Sequence, residues 1–270
     1  AFKITNGNQT GGLSAGDLIE AIRYRVEAQD MANSGWNYKS GSSFITLSFW
    51  VKSSVSFNMK GYFFHHDGST QSYPLETGTL TADTWTKIVR TIPGNSNVAF
   101  DMDNAVGLTI SFGIFGSLFS SANPPVNQWV SYSSATLTNP SEDTWYTTND
   151  ATLEFTGLQL EVGDTATSFE FRSYGEELAR CERFFQTGRA SIGSAYNGFG
   201  GNVVHSTYIG FNTKMRAQPS ISFGTNHTSN NVSNADYYGG ESDSGFSYRV
   251  NILANGNYAR YSTYFAEAEL

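Results

Sequence analysis

The 270-residue chain is poor in the residues that usually announce a chemistry. It has one cysteine, Cys181, and six prolines. A lone cysteine excludes a disulfide framework and any cysteine-built zinc cage. Charge is scarce as well, with 24 acidic and 16 basic residues and a net charge of −8. Nothing in that balance could neutralise a phosphate backbone, so a nucleic-acid partner is not expected. No apolar run approaches the roughly 18–20 residues of a membrane-spanning helix, so membrane insertion is not expected either. Phosphate loops, dinucleotide fingerprints, Gly-x-Ser-x-Gly elbows and His-Glu-x-x-His helices are all missing, and no cofactor is expected.

What fills the chain instead is Ser, Thr, Asn and Gly, together 108 residues, and 40 aromatics. Abundant aromatics argue against disorder, and little charge with many turn formers and β-branched residues is the composition of an all-β protein. Alternating apolar and polar positions predict strands at Ile19–Glu27, Ile45–Lys52, Asp83–Ile92, Val106–Phe112 and Thr152–Leu160. Pro93-Gly94-Asn95 stops the third of these. None is followed by an amphipathic helix, so two antiparallel sheets packed as a sandwich, a jelly roll, are expected over residues 1–172. One helix is predicted over 173–187, with Leu178, Cys181 and Phe185 on one apolar stripe expected to dock on the seam between the two domains, and with Cys181 buried. Residues 188–270 read as a smaller β domain, glycine-rich and neutral, with strands at Val203–Ile209, Ser220–Phe223 and Tyr258–Phe265. Its thin core suits subunit association.

Candidate chemistry is sparse. His65-His66-Asp67 cannot aim both imidazoles at one site if it lies on a strand, because neighbours there point to opposite faces. Acid pairs that a glycan hydrolase would need are Asp101 with Asp103, Glu142 with Asp143, and Glu154 with Glu161. Asp101 and Asp103 could equally hold a calcium ion through oxygen ligands. Trp50 and Trp85 lie in patterned strands and are expected in the core, as is Trp36. Aromatics among turn formers carry more information, since a flat apolar face with a polar edge suits stacking on sugar rings. Tyr62, His65, Trp129 and Tyr132 are the candidate glycan contacts on that ground. Ile114–Gln128, with Leu118 and Phe119, reads as a long loop, either functional or disordered.

Several pieces then follow in a recognisable order. They are Thr46-Leu47-Ser48-Phe49-Trp50-Val51-Lys52, Ala82-Asp83-Thr84-Trp85 leading to Thr91-Ile92-Pro93-Gly94, and Gly107-Leu108-Thr109-Ile110-Ser111-Phe112-Gly113. Phe155-Thr156-Gly157-Leu158-Gln159-Leu160-Glu161-Val162-Gly163 and Arg172-Ser173-Tyr174-Gly175-Glu176-Glu177-Leu178 come after. As a set they resemble the C-terminal part of bacteriophage virion proteins, tail fibres or head appendages, that carry a carbohydrate-binding-module-like jelly roll. Ser168 stands where such proteins usually have Pro. The resemblance implies a non-catalytic appendage on the virion surface that contacts other virion proteins, assembles as a homo-oligomer (a trimer foremost) and binds host-surface glycans. It also implies an attachment region before Ala1. A glycan hydrolase or its binding module, and a purely architectural decorating protein without ligand, are the alternatives.

Overall fold

The computed structural model describes residues 1–7, 11, 13, 17–116, 123–133, 135–139, 144–196, 203–232 and 237–269. These residues form an all-β protein in two units, Ala1–Glu170 and Phe171–Glu269. Every strand pair is antiparallel.

In the first unit the strands are β1 (Phe2–Thr5), β2 (Leu18–Glu27), β3 (Phe44–Ser53), β4 (Phe57–His65) and β5 (Gln71–Leu80). They continue with β6 (Thr86–Pro93), β7 (Val106–Gly116), β8 (Val130–Ser131) and β9 (Thr152–Val162). Helices α1 (Ala28–Ala32) and α2 (Thr144–Thr147) are short connectors. The strands make a four-stranded sheet, β1-β9-β3-β6, and a five-stranded sheet, β2-β7-β4-β5-β8. Their inner faces share one core, the expected jelly-roll sandwich.

Strand parity decides what enters that core. On β3, Ile45, Leu47, Phe49 and Val51 point inward and are buried. Phe49 meets Phe112 of β7 with ring centroids 4.9 Å apart. Trp50, between two inward residues, must face outward. It is 41% exposed, and Trp85, just ahead of β6, is 38% exposed. The expectation that both tryptophans are core is therefore corrected, whereas Trp36 is buried.

Gly113 resets the parity of β7. Its φ of +65° is open to glycine at no steric cost. A Cβ there would lie 2.5 Å from the Ala21 side chain. The irregularity lets Phe112 and Phe115 both enter the sandwich core, while Ile114 joins Tyr62 and Leu137 outside it. Residues Gly61–His65, read from the sequence as an aromatic loop, belong to β4. Ile114–Gly116 belongs to β7, and Leu118 and Phe119 lie outside the described residues.

The second unit contains α3 (Tyr174–Glu182), β10 (Phe185–Tyr196), β11 (Val203–Gly210), β12 (Ser220–Asn230), β13 (Tyr237–Ser242), β14 (Gly245–Ile252) and β15 (Gly256–Glu267). Two three-stranded sheets, β10-β15-β12 and β11-β14-β13, enclose Phe246, Tyr248, Val250 and Ile252 of β14 and Tyr258 and Tyr264 of β15. Ser173 and Glu176 close a capping box at the start of α3, which satisfies two otherwise orphaned backbone donors. The helix is shorter than expected because Phe185, Gln186 and Thr187 are taken into β10, pairing with Glu267, Ala266 and Phe265. None of its residues is buried, and Cys181 is exposed rather than packed away.

Candidate functional site

The four sequence candidates fall on both faces of the five-stranded sheet and do not form one site. Tyr62 is on the outer face but only 4% exposed, covered by the segment around Leu137. Its hydroxyl donates to the Glu20 carboxylate, and burial together with that acceptor pushes its pKa up. His65 points inward, is fully buried and accepts the Ala99 backbone N–H at Nε2, 2.9 Å away. Burial lowers its pKa. Trp129 is half-buried against the main core, with its indole N–H donating to the Pro93 carbonyl at 2.7 Å and its ring 5.2 Å from Tyr73. Tyr62 and His65 are thus corrected from loop residues to buried strand residues, and Trp129 to a half-buried plug on the core. Tyr132 is half-buried and lies 4.6 Å from Phe64, whose other neighbour is His66 at 4.4 Å.

The calcium expectation meets a different arrangement. The Asp103 carboxylate accepts the Ala105 N–H at 3.0 Å, and the Asp101 N–H donates to Asp67 at 3.2 Å. These bonds shape the turn itself. Among the described residues no group of three or more His, Cys, Asp or Glu side chains gathers as a metal site.

The outer face of the four-stranded sheet exposes Trp50, with the exposed rings of Trp85 and Phe169 beside it. Cross-strand register builds two rows there. One runs Lys3–Glu154–Lys52 and the next Thr156–Trp50–Lys87. Lys52 reaches Glu154 at 2.9 Å and stands 5.3 Å above the Trp85 ring. Lys52 and Trp50 are two residues apart on one face, about 7 Å along the strand. Beyond Trp50, Gly157 adopts a φ of +60°. A Cβ on it would lie 3.5 Å from Trp50 and 3.8 Å from Phe169. The glycine is the floor of a slot between those two rings, and Phe169 is 42% exposed.

Phe169 is held there by a folded-back tail. The Gln159 carboxamide accepts the Glu170 N–H at 2.8 Å, and Glu161 accepts the backbone N–H and hydroxyl of Thr167 at 2.9 and 2.7 Å. Burial would raise the Glu161 carboxyl, but the bonds from Thr167 and Gln159 outweigh it and hold it low. Glu154 is held low by its bond to Lys52. Glycosidic cleavage needs one carboxylic acid with a raised pKa and a partner within about 10 Å. Glu154 and Glu161 lie opposite Lys52 and Thr46 of β3, about 20 Å apart along the strand, so they cannot act as that pair. Glu142 and Asp143 lie outside the described residues.

Parity was the signal that could have found this surface. The inward Phe49 and Val51 already implied an outward Trp50, and the register brings Lys87 and Thr156 beside it.

No family model matches the chain, and no curated protein matches it. Among solved structures it is similar to discoidin II of Dictyostelium discoideum. The recombinant protein shares 12% identity, over 84% of this chain and 74% of that one, with a TM-score of 0.26. The wild-type protein shares 13% identity over 94% of both chains, with a TM-score of 0.29. Neither likeness bears on what this chain binds.

Proposed function

We propose that this chain is a non-catalytic carbohydrate-binding protein that contacts glycans through the outer face of the four-stranded sheet. The observation that carries the reading is the exposure of Trp50 and Trp85 on the outer side of a sheet whose inner side buries Phe49 and Ile88. Neighbouring exposed aromatics that join into one apolar patch commonly mark an interaction site. A pyranose offers an apolar C–H face and a hydroxyl rim. The rings of Trp50, Trp85 and Phe169 suit the first, and Lys52, Glu154, Thr156 and Lys87 suit the second. Tyr132, beside Phe64 and His66, is proposed as a subsidiary contact on the other sheet.

The ordered motifs from Thr46 to Leu178 support a finer reading. In it the protein is a bacteriophage virion appendage, displayed on the particle surface with other virion proteins, and its glycan is one of the host surface. A glycan array and host-cell binding with the whole chain test both levels. Binding lost in Trp50→Ala/Trp85→Ala, with no reducing sugar released, is the expected result. Undiminished binding in that double variant would remove the site. Sugar release that disappears on changing carboxylates would make the protein a hydrolase. A chain that binds no glycan and yet locates to particles would be architectural.

A further inference from the structure

The sheets of this protein have eight edge strands among the described residues, and seven of them are blunted. The edge of β2 carries Glu20, Arg23 and Arg25, and that of β6 carries Lys87, Arg90 and Pro93. Strand β1 is four residues long with Lys3 in it, and β8 has only two residues. Strand β10 carries Arg189 mid-length. Strands β12 and β13 break register against their neighbours. Charge, proline, shortness and bulges are the devices by which natural sheets avoid pairing with other chains.

Strand β11 has none of them. Its eight residues, Val203-Val204-His205-Ser206-Thr207-Tyr208-Ile209-Gly210, hold unbroken register with β14 on one side. On the other side no described strand pairs with it. Val204, Ser206 and Tyr208 face outward, and Val204 and Tyr208 are 52% and 58% exposed.

We infer that β11 pairs antiparallel with β11 of a second copy, about a two-fold axis through Ser206. This joins two three-stranded sheets into one of six. The strand is self-complementary in that register. Val204 faces Tyr208 of the other copy on the outer side, Val203 faces Ile209 on the inner side, and His205 faces Thr207. Apolar residues meet apolar ones, and no like charges are opposed. A second copy fits better than a charged partner because residues 189–270 carry five basic and five acidic side chains, while the net −8 lies in residues 1–187. The contact is isologous and uses up the free edge of both strands, so it closes at two copies. This inference does not depend on the glycan reading, although two linked sites would add avidity to it.

The test is the mass of the full chain in solution, by sedimentation or light scattering. Twice the 29.5 kDa of one chain is expected. Ser206 is exposed, so Ser206→Lys and Ser206→Glu keep the fold. Each alone opposes like charges on the axis and yields monomer. Mixed in equal amounts they restore the dimer, which a merely misfolded variant would not do. A monomeric wild type, a wild-type assembly of three or more copies, a Ser206→Lys protein that keeps the wild-type dimer mass, or monomeric variants that stay monomeric when mixed would each overturn the inference.

Discussion

Phe49 and Trp50 are neighbours in sequence and opposites in consequence, and replacing each by alanine measures the difference. Phe49 is fully buried and touches Phe112 and Phe155. Its removal leaves a cavity and costs about 3–5 kcal/mol. In a unit of this size each kcal/mol moves Tm by roughly 2–4 °C, so Phe49→Ala lowers it by roughly 6–20 °C. Trp50→Ala removes a ring that is 41% exposed and faces away from the core. Its stability cost is about 1 kcal/mol or less. The loss instead falls on binding. A tryptophan presents roughly 250 Å², so about 100 Å² of Trp50 is available to a sugar. At about 25 cal/mol per Å² that contributes about 2.5 kcal/mol. Affinity for a glycan should then fall roughly 60-fold. Calorimetric unfolding and titration with an array-positive oligosaccharide read the two quantities on the same samples. A Trp50→Ala protein that melts as low as Phe49→Ala would show the outer ring to be structural, and the argument from parity would fail.

Three other outcomes follow from the same geometry. Burial first, then the charges of Arg25 and His65, hold His66 down at about 4, below its unfolded value of about 6.5. The unfolded chain therefore takes up a proton first as pH falls. Stability is complete above pH 6.5 and is lost toward pH 4, by about 1 kcal/mol at pH 5 after discounting for the half-exposed ring. Urea unfolding at pH 7 and pH 5 should show a smaller difference for His66→Gln than for the wild type, and an equal difference would discount His66. Lys60 is nearly buried and bonds Glu76 at 2.7 Å. Burial would raise Glu76, but the bonds from Lys60, Asn139 and Asn58 hold it low. Lys60→Met should cost about 1–3 kcal/mol, with part recovered in Lys60→Met/Glu76→Gln, because the damage is an uncompensated carboxylate. No recovery in the double variant would argue against that cause. Cys181 should react fully with a thiol reagent in the native protein, without denaturant. Protection until unfolding would contradict its exposure.

How much of this was legible in the sequence differs from strand to strand. Strands β2, β3, β7 and β9 announced themselves because one face of each meets the core and the other is polar. Strands β4 and β5 did not. Gly61 and Pro74 look like turn residues, yet they pair within the sheet opposite Leu75 and Tyr62. Gly61 is there because a Cβ would lie 2.7 Å from the Ser111 carbonyl. That close approach between strands is a tertiary fact with no local signature. The same mistake made His65 and Tyr62 loop residues. Trp50 is hard to place for another reason, because its aromatic bulk points to the core while the alternation of Phe49 and Val51 points it outward. The helix ran too far in the reading because Phe185 continues an apolar stripe that the pairing with β15 overrides.

The Lys52 ammonium sits above the Trp85 ring while bonded to Glu154. A sugar that lies on that ring must displace it, so the surface holds its own resident competitor. Glu154 gives the displaced cation a place to stay, so the exchange trades one contact for another without stranding a charge. Under the glycan reading each single encounter is then shallow and quickly reversed, and a firm hold comes only from many encounters at once.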